Sequence, residues 1–326
     1  MVRRITIQDI ANIAGVSKST VSRAMNDNPV ISKTTRNQIQ QIIKEYNYHP
    51  NSSAKSIKTK QTMVIGIIIP SFDNPFFAKI LDVIQNKATN KQYQLMIATT
   101  HEKGELELNA IRQMINQPVD GLIVVSTGKI NDYHQLLNNT PVVFIDRIAN
   151  QRENHEFDTI LVDNINGSFN VVNQMIENGA ERIGIIANSL FKKKSNRLIG
   201  YQKALQKNNV ELDPDIILYC SRNGRDAISL ASQLLINQAC DGIFATDSNI
   251  LKSVLKQIEV HQMDNVQVGA FDDNPYLSLL NLNVIANQQP SNAMGSKAFE
   301  LLMDQIHNPQ HDVQHIKLKT SLKHYH

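Results

Sequence analysis

The sequence predicts an α/β protein in which a three-helix N-terminal head precedes two doubly wound, parallel-sheet subdomains. Three observations lead to that class. Residues 6–26 carry the caps and the turn of a helix-turn-helix. From Met63 onward, short β-rich runs alternate with amphipathic helical stretches, the pattern of parallel sheets flanked by helices. Charge divides the chain at the same place: residues 1–60 hold ten Lys or Arg against Asp9, Asp27 and Glu45, a net +7, whereas the rest nets −4 within a total of +3. A basic end on a slightly acidic body is expected when only that end meets phosphate.

In the head, Thr6 with Asp9 three positions on offers a cap and a capping carboxylate. Ile7, Ile10, Ala11 and Ala14 then recur at helical spacing until Gly15. Val16 belongs to the turn. Ser17 caps a second helix, 18–26, that turns Val21, Ala24 and Met25 inward and leaves Lys18, Ser19, Ser22 and Arg23 outside. A third helix starts at Ser32, is expected to bury Ile39, Ile42, Ile43 and Tyr46, and stops near Asn47, ahead of Pro50.

Beyond the head, strands are expected at 64–69, 93–98, 121–126, 142–145 and 159–162, then at 183–187, 216–219, 242–245 and 266–271, with a tail strand over 316–323. Helices fall between them, such as 76–90, 105–116, 168–178, 196–208 and 226–236. Two series imply two similar subdomains. Right-handed crossovers place all strand C-termini of each sheet on one edge, so the cleft between the two edges is the expected ligand site. The domain reading is a head over 1–50, a hinge helix or linker over 51–62 and a core over 63–326. The core divides into a first subdomain of about 63–160 with 288–315 and a second of about 161–287 with 316–326.

Cys220 and Cys240 have neither disulfide-framework nor zinc spacing, and no cofactor is implied; a reducing cytoplasm fits. The longest apolar run, 63–70, is too short for a bilayer, and no export signal opens the chain. An enzyme finds no support and no catalytic residue is assigned: Gly-x-Ser-x-Gly and His-Glu-x-x-His are absent, and Ile130 stands where a phosphate loop needs Ser or Thr.

The run Ile7-Gln-Asp-Ile-Ala-Asn-Ile-Ala-Gly-Val-Ser-Lys-Ser-Thr-Val-Ser-Arg23, followed by Tyr48-His-Pro-Asn51 and Ala54-Lys-Ser-Ile57, resembles the LacI/GalR family of bacterial transcription regulators. Asp73-Asn-Pro-Phe-Phe77, Val119-Asp-Gly-Leu-Ile-Val124, Pro141-Val-Val-Phe-Ile-Asp-Arg147, Arg197-Leu-Ile-Gly-Tyr201, Phe271-Asp-Asp273 and Gln289-Pro290 extend the likeness along essentially the whole chain. Val125-Ser-Thr-Gly128 and Asp146-Arg147 look like its ketogluconate-regulator branch. The resemblance implies a homodimer with a periplasmic-binding-protein-like core. It implies a cytoplasmic, nucleoid-associated repressor of sugar or sugar-acid genes that binds double-stranded DNA at a pseudo-palindromic operator, under control of a small carbohydrate effector. One alternative replaces the effector by a protein corepressor. A sugar-binding transport component is a weaker one, since it would have no use for residues 6–60.

By the same resemblance Lys18, Ser19 and Arg23 enter the major groove, where Arg or Lys donates to guanine and Ser serves either base type. Thr6, Ser17, Ser22, Asn26, Ser32, Thr35 and Tyr48 contact phosphate and fix register, Ser17 and Ser32 doubling as helix caps. A helix as short as 52–58 has few bonds to offset nucleation and should be largely unfolded alone. In the family two such segments fold together on DNA and push an apolar wedge into the minor groove. Ile57 matches that wedge, beside Lys55 and Lys58, although the usual residue is Leu.

For the effector, the matching residues are Asp73, Phe76, Phe77, Asp146, Arg147, Arg197, Asp247, Asp272 and Gln288, with at least one of Phe76 and Phe77 expected to pack in the core instead. Arg197, in the motif Arg-x-x-Gly-aromatic, is the best-matched of them. Asp247-Ser248 departs from the Asn-Asp of many members. Lys193, in a run of three lysines, would join Arg147 and Arg197 in a positive pocket suited to a sugar acid or sugar phosphate.

Overall fold

The Thr6 amide donates to Asp9 Oδ2 at 2.8 Å while the Asp9 amide donates to Thr6 Oγ1 at 3.3 Å, so the predicted capping box opens helix α1, Ile7–Ala14. Gly15 closes it in the left-handed region at φ 68°, where a side chain would be strained. Ser17 accepts the Thr20 amide at 3.1 Å and starts α2, Lys18–Met25; Ser32 accepts the Thr35 amide at 3.2 Å and starts α3, Lys33–Glu45. These helices belong to a computed structural model that describes residues 5–48, 61–117, 119–147, 155–188, 195–221, 226–308 and 310–325. It divides into two units, Met1–Thr62 and Met63–His326.

Ile10, Ala11, Ala14, Val21, Ala24, Ile39 and Ile42 form the core of the head, as the helical spacing predicts. The aromatic residue differs. Tyr46 is the C-cap of α3 and 46% exposed, whereas Tyr48 is 8% exposed and part of the core. Asn47, left-handed at φ 45°, turns the chain so that the Tyr48 amide returns to the Ile43 carbonyl at 2.9 Å.

In the larger unit, β1 (Val64–Ile69), β2 (Gln94–Thr99), β3 (Gly121–Val124), β4 (Val142–Ile145), β5 (Asp158–Val162) and β11 (His315–Leu318) form a parallel sheet ordered β2-β1-β3-β4-β5-β11. A second sheet repeats the order as β7-β6-β8-β9-β10-β12, from β6 (Ile183–Asn188), β7 (Ile217–Cys220), β8 (Gly242–Ala245), β9 (Gln267–Ala270), β10 (Val284–Gln288) and the antiparallel β12 (Ser321–Tyr325). In both, strand order reverses beside the first strand, which is where open α/β sheets leave a crevice for a ligand.

Helices cover both faces. On the first sheet, α4 (Pro75–Asn90) and α11 (Ser291–His307) pack through Ile80, Ile84, Met294 and Phe299, and α5 (Gly104–Asn116) and α6 (Tyr133–Leu137) through Ile111 and Tyr133 on the other side. The second sheet carries α7 (Asn164–Glu177) and α8 (Asn196–Lys207) on one face. On its other face lie α9 (Ala227–Ser232), running on as a π-helical turn over Gln233–Asn237, and α10 (Ser248–His261). Among the described residues no helix is long and apolar enough to cross a membrane.

The structure corrects the tail. The single strand expected over 316–323 is two: β11 pairs with β5 in the first sheet, and β12 pairs with β10 in the second. Ile316 to Leu318 therefore belong with the first subdomain rather than the second. β10, not expected as a strand, supplies the partner that draws the tail across. The chain crosses between the sheets at Asp163, between Gln288 and Ser291, and at Lys319 and Thr320. The first and last crossings are tied where the Asp163 amide meets the Leu318 carbonyl at 3.0 Å and Lys317 Nζ lies 2.9 Å from Asp163 Oδ1.

Candidate nucleic-acid interface and effector cleft

On α2 the burial of Val21 and Ala24 leaves Lys18, Ser19 and Arg23 exposed, with Ser22 half-buried. Ser17 Oγ lies 2.7 Å from Ser19 Oγ and 2.9 Å from Thr20 Oγ1, which links the cap to the first exposed turn. Asn26 donates back to the Ser22 carbonyl at 2.8 Å, and Ser32 and Thr35 join their hydroxyls at 2.9 Å. Thr6 is exposed at the start of α1. The N-termini of α2 and α3 present backbone N–H groups, the kind of surface that suits phosphate. Tyr48 stands apart from these surface groups: it packs inside the head, and burial pushes its phenol pKa up. Lys55, Ile57 and Lys58 lie outside the described residues, as does Lys193.

Asp146, Arg147, Arg197, Asp247 and Asp272 gather where strands of both sheets end. Asp146 and Arg147 follow β4. Asp146 takes a left-handed φ of 64°, uncommon for a residue with a side chain. Burial raises its carboxyl pKa, Arg147 and Arg197 oppose that rise, and Asp272 and Glu102 add to it, so groups from both subdomains share one electrostatic environment.

Arg197, one residue into α8, is fixed from three sides. Its Nε donates to Asn164 Oδ1 at 2.9 Å, Nη1 donates to the Thr246 carbonyl, and the guanidinium carbon sits 3.6 Å over the Phe271 ring. Asp247 caps α10 by accepting the Asn249 and Ile250 amides at 2.9 and 3.0 Å. Burial raises its pKa, the Ile250 amide and Arg197 pull it down, and Asp272 pushes it up. Asp272, after β9, accepts the Ser248 amide and hydroxyl at 2.9 and 2.8 Å on one oxygen and Gln289 Nε2 at 2.7 Å on the other. The departure Asp247-Ser248 is thereby explained locally: one residue caps the helix and the other holds Asp272.

Phe76, Lys79, Asp272, Asp273, Gln288 and Gln289 line a cavity of about 20 Å³, so Phe76 and Gln288 join Asp272 across the two subdomains. Phe77 is buried and packs its ring edge-on to Phe76 at 5.1 Å, a core role. Asp73 is exposed and bonded to Ser71 at 3.0 Å, while its neighbour Asn74 caps α4. A wider groove of about 1110 Å³ between α5 and α6 holds none of the candidates.

Arg147 is not the open positive fork that was expected. Its Nη1 and Nη2 each donate to Glu102 at 2.7 Å, and Nε lies 3.4 Å from Asp146. Burial works against its charge, but Glu102 and Asp146 more than compensate and hold its pKa above the ordinary value. Sequence reading missed Glu102, Asn164, Thr246 and Phe271. Glu102, just past β2, had one usable signal: strand C-termini build such clefts.

Residues 6–51 match the family described as bacterial regulatory proteins, lacI family, and residues 62–324 match the periplasmic binding proteins and sugar binding domain of the LacI family. The chain belongs to the LacI family. It is thus a LacI-family DNA-binding transcriptional regulator with a core of the sugar-binding type. LacI-family relatives include the HTH-type transcriptional regulator MalR of Streptococcus pneumoniae, 33% identical over 84% of this chain and 86% of its own. RegA of Clostridium saccharobutylicum is 26% identical, with 97% of each chain covered. The Lac repressor dimer bound to operator and the anti-inducer ONPF shares the fold with a TM-score of 0.83 at 22% identity, over 99% of this chain and 98% of that one.

Proposed function

We propose that the protein is a cytoplasmic repressor, acting as a homodimer, whose hold on a pseudo-palindromic operator is set by a carbohydrate bound between the two sheets. The observation that carries this reading is the convergence of Asp146, Arg197, Asp247 and Asp272 at strand ends of both sheets. Carboxylates and a fixed guanidinium suit a ligand dense in hydroxyls, and polar groups gathered at such a crevice mark a binding site. A ribose operon repressor from Haemophilus influenzae, 27% identical over 96% of this chain, is consistent with sugar control. In the head, Lys18, Ser19 and Arg23 read bases. Thr6, Ser17, Ser22, Asn26, Ser32 and Thr35 hold phosphate.

An effector that favours one arrangement of the core by roughly 3 kcal/mol changes operator affinity about a hundredfold. The test selects an operator from random duplexes and titrates it in the presence of a panel of sugars. At least one sugar is expected to shift the affinity by about that factor, and Arg197→Ala to lose the response while still binding operator. An operator affinity that no sugar moves would turn the reading to a protein corepressor.

A further inference from the structure

We propose that Glu102 is a specificity residue of the cleft: it occupies the Arg147 fork that an anionic sugar would need, so the site admits uncharged sugars and turns away their acids. This rests on the carbohydrate reading above and narrows it.

The geometry is that of a ligand already in place. Glu102 Oε1 and Oε2 each accept one Nη of Arg147 at 2.7 Å, the two-point match of a planar fork to a carboxylate, with both side chains only about a fifth exposed. Nε faces Asp146 at 3.4 Å and Nη1 also reaches the Ser126 carbonyl at 3.4 Å. An incoming carboxylate or phosphate would have to displace Glu102. The displaced carboxylate would then share the space with Asp146, whose charge is already disfavoured by burial first and by Asp272 and Glu102 in addition. A hydroxyl needs no such exchange, because it donates to Asp146, Asp247 or Asp272 and accepts from Arg197.

Glu102 is held in place by its backbone. His101 and Glu102 are consecutive left-handed residues at φ 45° and 60°, a conformation that persists only where the surroundings impose it. The constraints are visible: the Thr100 amide donates to the Ile69 carbonyl at 2.9 Å, the His101 amide to Pro70 at 2.8 Å, and Lys129 Nζ to the Glu102 carbonyl at 3.1 Å. The end of β1 and the loop after β3 therefore fix the backbone turn after β2 that carries this carboxylate. The other basic group of the cluster, Arg197, already donates through Nε and Nη1 to Asn164 and Thr246 and lays its face on Phe271, so it offers a hydroxyl a single donor rather than a second open fork for an acid.

The test measures binding of pairs matched in ring and stereochemistry to the full chain by calorimetry: D-glucose and D-glucuronate, D-galactose and D-galacturonate, D-mannose and D-mannuronate. Wild type is expected to prefer the neutral member wherever it binds either. Glu102→Gln is expected to gain affinity for the corresponding acid by about ten- to a hundredfold, the worth of a charge-assisted bond. Glu102→Asp, which keeps the charge, should stay near wild type, and adding Arg147→Gln to Glu102→Gln should erase the gain. Wild type binding an acid as tightly as its neutral partner overturns the proposal whether or not the variants fold. A Glu102→Gln protein that gains no acid, or a gain that survives loss of Arg147, overturns it while leaving the carbohydrate reading intact. Silence of wild type and all variants toward every sugar and acid overturns both.

Discussion

His311 is clamped between two carboxylates: its Nε2 lies 2.7 Å from Asp158 Oδ2 and its Nδ1 2.6 Å from Asp304 Oδ2. An ionised carboxylate only accepts, so both bonds together require a ring protonated on both nitrogens. Asp158, fully buried at the start of β5, also accepts Gln305 Nε2 from α11 and the Gln314 amide, at 2.6 Å for the latter. It gathers the end of α11 and the approach to β11 onto the first sheet.

That arrangement fixes a sign for pH dependence. Burial opposes the imidazolium, but Asp304 and Asp158 outweigh it and hold the His311 pKa above its ordinary 6.5. A group with a raised folded pKa stabilises fully below its unfolded value and loses that contribution as pH rises through the folded value. Melting temperature measured across that window should therefore fall more steeply with rising pH in wild type than in His311→Gln. Identical slopes would show that the ring does not titrate between the two carboxylates.

Gly200 makes a second prediction, and it gives a physical reason for the glycine in Arg-x-x-Gly-aromatic. A Cβ there would stand 2.6 Å from Ser168 Cβ and 2.9 Å from the Phe169 amide nitrogen, and closer still to the Ile165 carbonyl oxygen. α7 and α8 approach backbone to backbone at this point. Gly200→Ala gains helix propensity of up to about 1 kcal/mol but forces the helices apart, an overpacking cost of about 1–3 kcal/mol or more where the obstacle is backbone. Net destabilisation is expected in a denaturant titration. Arg197 lies three residues away on the same helix face, so sugar binding should weaken in step. A more stable Gly200→Ala protein would mean that the two helices yield freely.

These residues also show what could be read in advance. Caps were legible because their chemistry is local: Thr6 with Asp9, and Ser17 and Ser32 each just ahead of a helix. Most strands were legible because a buried parallel strand is a continuous apolar run, as in β1 and β4. The split tail was not, since the choice between β5 and β10 as partner depends on strands far away in sequence. Nor was the pairing of Arg147 with Glu102, 45 residues apart. Asp146, Arg197, Asp247 and Asp272 came from family resemblance rather than periodicity, and the structure gathers them at strand ends. Asp73 and Phe77 matched the same resemblance, but one is an exposed turn residue and the other is core.

In the head, Arg23 and Tyr48 should separate reading of DNA from packing. Arg23 is exposed on the outward face of α2. Arg23→Ala should leave stability within about 0.5 kcal/mol, yet cost about 1–3 kcal/mol of operator affinity and relax preference at one base position. Tyr48 should behave in the opposite way. Losing its ring as Tyr48→Ala should remove on the order of 3 kcal/mol of head stability, whereas Tyr48→Phe keeps the ring and should leave both melting and operator affinity near wild type. The measurements are thermal melts beside operator titrations at about 50 and 200 mM salt, over which wild-type affinity should fall by orders of magnitude if several phosphates are neutralised. If Tyr48→Phe melts normally but binds operator weakly and with a shallower salt response, the hydroxyl reaches phosphate after all and burial of the ring is only half of its role.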